Sequence, residues 1–235
     1  MEKKSRILIV EDEAAIRDGL IDLFTFHGYE VESAADGNSA LGLALSGRFD
    51  MILLDVMLPG IDGYTLCNKI REQDRDQPII MLTAKGSDEE IIHGLSLGAD
   101  DYVAKPFSVT QLVLRVKAVL RRAHIGEEAS HQITLDHDFT IDTRNLSGQR
   151  NGEALNFTRR EIEILQYLHA NRERPVARDE LLHKVWGYAK NLDLETRTVD
   201  IHIAKLRRKL EPQPAEPQYL ITVRGAGYRL LAQQG

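Results

Sequence analysis

Five short apolar runs punctuate the first half of the chain, RILIV, YEVESA, MILLDV, PIIMLT and DYVAK, and the stretches between them are amphipathic and of helical length. Runs of this kind suit parallel strands covered on both faces, and their alternation with helices predicts a doubly wound, five-stranded parallel sheet. Capping-box spacings mark two helix starts, Ser87 with Glu90 and Ser108 with Gln111. Beyond Ser108, Leu112, Val116, Val119 and Leu120 recur at three and four residues and form a single apolar stripe.

The pattern changes after Ala123. The segment HIGEEAS is polar and nonperiodic, which predicts a linker over 124–130 between a first domain of residues 1–123 and a second of residues 131–235. QITLD, FTID, NLSG and EALNF then predict a small antiparallel sheet, with Asn151-Gly152 as a hairpin turn. Thr158 and Glu161 form a third capping box, opening a helix whose Ile162, Leu165 and Leu168 face one way. RDELLHKVW and TRTVDIHIAKLRRKL read as two further helices. In the last of these Val199, Ile203, Leu206 and Leu210 form the core stripe, and at about 100° per residue the opposite face centres on Arg197, Ile201, Ala204, Lys205 and Arg208. YLITVRGAGYRLL closes the chain as a hairpin with Gly225 and Gly227 at its tip and Arg224 beside them.

Charge separates the two halves. The net charge of -6 belongs wholly to residues 1–123, which carry 14 Lys plus Arg against 20 Asp plus Glu, whereas the remainder is neutral. Within that neutral half, Arg197 to Leu210 holds five cations against Asp200 alone, a basic stripe of the kind that meets nucleic acid. A length of 235 residues favours two domains, no apolar run approaches the roughly 18 residues of a membrane span, and the amino terminus lacks the apolar core of a signal peptide. A cytoplasmic protein is expected. The single cysteine, Cys67, excludes an intramolecular disulfide and reads as a small apolar helix residue.

The candidate chemistry lies at the strand ends. The first strand runs into Glu11, Asp12 and Glu13, the third ends at Asp55, the fourth at Thr83 and the fifth at Lys105. In such sheets the carboxyl edge forms the ligand crevice, so three of these carboxylates, Glu11, Asp12 and Asp55, are expected to converge there with a hydroxyl and an amine. Hard carboxylate oxygens suit Mg2+. An ion bridging Asp12 and Asp55 leaves an Asp55 oxygen to attack phosphorus, with Lys105 neutralising the developing charge, so Asp55 is the expected nucleophile.

The set EDE, LLDVMLPGIDG, LTA and DDYVAKPF resembles the flavodoxin-like receiver domain of two-component response regulators, over about residues 5–123. The resemblance implies that Asp55 is phosphorylated by a sensor histidine kinase. It places Asp12, Asp55 and the main-chain carbonyl of Met57 on the metal, with Glu11 acting through water. Thr83 and Lys105 become contacts of the phosphoryl group, Tyr102 the aromatic that follows Thr83, and the Lys105–Pro106 bond cis. LNFTRREIEIL, VWGY, RTVDIHIAKLRRKL and ITVRGAGYRL are similar to the α+β winged helix-turn-helix domain of the OmpR/PhoB subfamily, over about 131–232.

That second resemblance implies double-stranded DNA with tandem half-sites as partner. Arg197, Thr198, His202, Lys205 and Arg208 would hold phosphates, Asp200, Ile201 and Ala204 would face base edges, and Arg224 on its glycine tip suits minor-groove insertion. His202 fits equally a packed core histidine. The loop from Trp186 to Glu195 reads as an RNA polymerase contact or as a plain connector. Phosphorylation is expected to pair two receivers into a homodimer, with Asp100, Asp101, Arg115 and Arg122 as ion-pair partners. Two departures accompany the resemblance. Ile91 and Gln111 stand where relatives carry a cation and a glutamate, so one ion pair is missing, and Ala177 stands where relatives have a capping serine.

Other classes fit less well. An aspartyl-phosphate phosphatase wants a second Asp two residues after the nucleophile, where this chain has Met57. Neither glycine-rich nucleotide motif is present. A DNA binder that ignores phosphorylation is the remaining competitor, and a regulator rather than an enzyme is the expectation.

Overall fold

The computed structural model describes residues 4–83, 97–122, 132–188 and 197–232. The chain divides into two compact units, Met1–Arg121 and Arg122–Gly235. The first unit contains β1 (Arg6–Val10), α1 (Ala14–Phe26), β2 (Glu30–Ala34), α2 (Gly37–Ala44), β3 (Met51–Asp55), α3 (Gly63–Gln73), β4 (Ile79–Thr83), β5 (Asp101–Ala104) and α4 (Val109–Arg122). The helix expected from Ser87 and Glu90, and with it Ile91, lies outside the described residues, as does the expected linker.

The sheet has the order β2-β1-β3-β4-β5 and every pairing is parallel. The central strands β3 and β4 are buried at every residue, which is why they read as unbroken apolar runs. Alternation sends Ile7, Ile9, Met51, Leu53, Ile80 and Leu82 into one core with Leu20 and Phe24 of α1 and Leu112, Val116 and Val119 of α4. Two aspartates start helices by accepting backbone N–H groups, Asp36 from Ser39 for α2 and Asp62 from Thr65 for α3, both at 2.9 Å.

The order reverses between β1 and β3, the switch point where the carboxyl ends of neighbouring strands open a crevice. Gly63 brings α3 right up to this edge. A Cβ there would lie 2.0 Å from the Asp55 carbonyl oxygen, so only glycine permits the approach.

The second unit opens with an antiparallel sheet, β6 (Gln132–Asp136), β7 (Phe139–Asp142), β8 (Ser147–Arg150) and β9 (Glu153–Asn156), in sequence order. Asn151 and Gly152 both have positive φ, the conformation that a two-residue hairpin turn requires. Helices α5 (Arg159–Ala170), α6 (Arg178–Lys184) and α7 (Arg197–Leu210) follow, then the hairpin β10 (Leu220–Val223) and β11 (Gly227–Leu230). The box that opens α5 has both arms: Thr158 N–H donates to Glu161 Oε2 at 2.8 Å, and Glu161 N–H donates to Thr158 Oγ1 at 3.4 Å. Ala177 sits at the cap of α6, with extended backbone and no side chain to accept a hydrogen bond.

Candidate functional site

The carboxyl edge of the first sheet gathers the predicted acids. β1 delivers Glu11 and Asp12, β3 delivers Asp55, and their carboxylate oxygens lie within 4.8 Å of one another. Glu11 is fully buried and Asp55 is 2% exposed, while Asp12 faces solvent. From the end of β5, Lys105 reaches across the edge, its Nζ 2.7 Å from Glu11 Oε2 and 2.8 Å from Asp55 Oδ2. The other Asp55 oxygen accepts the Met57 N–H at 3.3 Å, and the Met57 side chain is exposed. Thr83 is buried at the end of β4, opposite Ala104 in register, and its carbonyl accepts the Lys105 N–H at 2.7 Å. Tyr102 lies half-buried on β5 opposite Met81. The Lys105–Pro106 bond is cis.

Electrostatics follow from this crowding. Burial, together with the neighbouring Asp55 charge, pushes the Glu11 carboxyl above its ordinary range against the opposing pull of Lys105. Burial works against the Lys105 ammonium, but its bonds to Asp55 and Glu11 outweigh it and hold the amine above the ordinary lysine range. A charged amine therefore stands beside a buried carboxylate, with further oxygen donors at the mouth. The donor set fits a hard divalent cation, and the arrangement suits attack on phosphorus.

Three of the residues expected to join two receivers, Asp100, Asp101 and Arg115, are engaged within one chain. Asp100 is turned inward, its Oδ2 accepting from Arg71 Nη2 at 3.0 Å and from the Ile79 N–H at 2.8 Å. The buried guanidinium of Arg71 also donates to the carbonyls of Gly98 and Gln77, at 2.8 and 2.6 Å, and Asp100 supplies the counter-charge it needs. Asp101 pairs with Arg115 at 2.6 Å. Gln111 is half-buried, and the side chain of Arg122 lies outside the described residues.

In the second unit the expected DNA face is narrower than the helical wheel implied. Ala204, Arg208 and Arg224 are exposed. Thr198, Ile201 and His202 are buried, and the His202 ring meets Trp186 edge to face at 5.2 Å, so the packed alternative holds. α7 is buried beyond its apolar stripe, so Ile201 is covered although the wheel sets it opposite that stripe, and Thr198 and His202, expected from the resemblance, are covered with it. Lys205 is not turned to a phosphate either: its Nζ lies 3.2 Å from Glu161 Oε1, and Lys209 Nζ lies 2.6 Å from Oε2. The Asp200 carboxylate is held by Arg178 and Tyr228. The side chain of Arg197, and most of the loop from Trp186 to Glu195, lie outside the described residues. Sequence reasoning passed over Arg71, Arg178 and Tyr228 and saw Glu161 only as a cap. The signal within reach was an arginine or a second acid at a position the apolar stripes leave over.

A parallel sheet with an acidic, lysine-bearing crevice, followed by a unit with a basic helix and a glycine-tipped hairpin, defines a response regulator with a transcriptional output domain. The comparisons agree. Residues 7–117 match the response regulator receiver domain, and residues 152–230 match the C-terminal domain of transcriptional regulatory proteins. A probable transcriptional regulator ycf27 of Guillardia theta is 43% identical, over 97% of this chain and 91% of its own, and its counterpart in Galdieria sulphuraria is 42% identical over the same shares. Among solved structures, a RitR mutant is 28% identical with a TM-score of 0.74, covering 98% of this chain and 100% of that one. Response regulator DrrB of Thermotoga maritima, described as an OmpR/PhoB homolog, is 30% identical with a TM-score of 0.52, covering 97% of this chain and 99% of its own. The chain belongs to the OmpR/PhoB family of two-component response regulators and is a transcription factor. Its two domains imply a histidine kinase and DNA as partners. Among the described residues no helix is long and apolar enough to cross a membrane.

Proposed function

We propose that Asp55 is the phosphoacceptor of this regulator and that its phosphorylation controls DNA binding by the second unit. The observation that carries the reading is the Asp55 carboxylate at the end of a wholly buried strand, 2.8 Å from the Lys105 ammonium and grouped with Glu11 and Asp12. An Asp55 oxygen attacks the phosphorus of a histidine kinase phosphohistidine or of a small phosphodonor. The new O–P bond forms as the bond to the leaving group breaks, and the electron pair departs with that group. Lys105 balances the charge on the transferred oxygens. Asp12, Asp55 and the Met57 carbonyl would hold Mg2+, with Glu11 reaching it through water, and the ion when bound supplies further charge neutralisation.

The added charge and acceptor oxygens then engage Thr83, and Tyr102 follows. Two receivers pair, and the internal Asp101–Arg115 bond is available to be exchanged between copies. The homodimer sets two DNA-binding units on tandem half-sites in the cytoplasm. The test is intact mass after incubation with Mg2+ and a small phosphodonor, with duplex binding read in parallel, for the chain and for Asp55→Asn. One phosphoryl group on the unsubstituted chain alone, with a rise in DNA affinity, supports the reading. Equal DNA affinity with and without phosphorylation overturns the control, and incorporation into Asp55→Asn overturns the assignment.

A further inference from the structure

Asp200 lies on the helix expected to read DNA, yet its Oδ1 is occupied. It receives the Arg178 Nε–H at 2.6 Å and the Tyr228 hydroxyl at 2.6 Å, and Arg178 Nη2 donates to that same hydroxyl at 2.9 Å. A closed ring of three hydrogen bonds thus joins α6, α7 and β11. Tyr228 is also flanked by two cations, Arg178 at 4.7 Å and Arg207 at 5.8 Å from the ring centroid. Arg207 runs on from α7 to β10, donating to the Leu220 carbonyl at 2.8 Å and to Thr222 Oγ1 at 2.7 Å.

The backbone reinforces the same junction. Val176 and Tyr228 exchange two main-chain hydrogen bonds of 2.7 and 2.9 Å. Gly227 packs so closely here that a Cβ would lie 2.0 Å from the Val176 carbonyl oxygen. The hairpin is therefore fixed at its root, where Gly227 and Tyr228 are buried, and exposed at its tip, Arg224 to Ala226. Burial and the Asp200 carboxylate push the Tyr228 phenol up to about 12, so it stays a hydrogen-bond donor at neutral pH.

We propose that Asp200 is a positioning residue of DNA recognition: acting through Arg178 and Tyr228, it sets the stance of the Arg224 hairpin relative to the recognition helix and does not itself read a base. Turning the carboxylate to a cytosine amino group breaks two short charge-assisted bonds, one of them to a guanidinium, to form one. With the ring intact, groove contacts of helix and wing fall in one register. The inference rests on the DNA-binding role of the second unit.

The experiment uses the full chain with Mg2+ and a small phosphodonor, alongside Asp200→Asn, Tyr228→Phe and the double variant. Each is used to select from a duplex pool with randomised positions and is then footprinted with hydroxyl radical on the duplex the unsubstituted chain prefers. We expect one shared major-groove preference, minor-groove protection at the wing lost in both single variants, and affinity about tenfold lower in each. The double variant is no weaker than Asp200→Asn, because both substitutions break one ring. Unchanged emission of Trp186, the single tryptophan, establishes that the unit is folded. A changed base preference at one position for Asp200→Asn, with Tyr228→Phe retaining footprint and affinity, makes Asp200 a reader and overturns the proposal. Additive losses in the double variant overturn it too. No enrichment by the unsubstituted chain removes the DNA-binding reading itself, and the proposal with it.

Discussion

Replacing Glu161 by Gln tests whether one buried carboxylate organises the DNA-binding unit. Glu161 is fully buried, closes the capping box of α5 and carries both Lys205 and Lys209 of α7. Removing one partner of a buried ion pair costs about 3–5 kcal/mol. Glutamine keeps an acceptor for the Thr158 N–H, and Lys209, 27% exposed, has a route to water, so the low end applies. With about 3 kcal/mol lost and a urea slope of about 1.5 kcal/mol per M, the unfolding midpoint falls by about 2 M. Trp186, fully buried with Arg160 over its ring and His202 against it edge to face, reports this unit alone by its emission. The pH dependence has a definite sign. Burial opposes the Glu161 charge, but the two lysines outweigh it and hold its carboxyl below the ordinary range. A depressed folded value contributes stability above the unfolded value of about 4.3, and that stability is lost as pH falls through the folded one. The gap between the two proteins therefore stays constant from neutral pH to about 5 and closes below about 4. A midpoint shift under about 0.3 M at neutral pH, or a gap that widens on acidification, refutes the reasoning.

Three further outcomes are expected. Ala177→Ser supplies the missing cap of α6 and raises the stability of the second unit by about 1 kcal/mol, read as a Trp186 melting midpoint several degrees higher. Gly63→Ala forces a Cβ into the Asp55 carbonyl, and a shift of about 1 Å at the nucleophile lowers the phosphorylation rate about a hundredfold, measured by intact mass against time. Arg71→Met leaves Asp100 buried without its counter-charge and lowers the stability of the first unit by about 3–5 kcal/mol, seen by calorimetry as a lower transition with the Trp186 midpoint unmoved.

The fold was legible where burial leaves a period in the chain. β3 and β4 are covered on both faces, so MILLDV and PIIMLT could be nothing but central strands, and their carboxyl ends located Asp55 and Thr83 without any contact information. Thr158 and Glu161 announced a helix start because a cap is a local device, three residues long. What stayed hidden is nonlocal. Arg71 meets Asp100 across 29 positions and Arg178 meets Tyr228 across 50, and no periodicity encodes such a meeting. The flanks of α7 misled for a related reason. His202 sits just beside the apolar stripe, where a wheel cannot tell the edge of a core from the edge of a groove, and the packing of Trp186 decides it, whereas Ile201 lies opposite the stripe and is covered all the same.

The two units use the same components with opposite charge balance, and the difference accounts for what each can bind. At the receiver edge, Glu11 and Asp55 flank the Lys105 ammonium with Asp12 grouped beside them, and Arg17 is tied to the main-chain carbonyls of Glu11 and Asp12, so three carboxylates meet two cations. The raised carboxyl of Glu11 reflects its burial first and the neighbouring Asp55 charge second, and a divalent cation or a proton relieves both. In the second unit, one carboxylate, Glu161, is shared by two ammonium groups, which leaves a formal positive charge. The depressed carboxyl of Glu161 is the corresponding symptom, and the surplus sits on the flank of the helix whose Arg208 is exposed. The first cluster is thus open to a cation, whereas in the second both ammonium groups are held by Glu161 and a phosphate would meet the exposed Arg208 first. Phosphorylation of Asp55 would add negative charge to the first unit without altering the second, so under the proposed pairing of receivers the gain in DNA affinity comes from joining two DNA-binding units and not from a change in the charge of either.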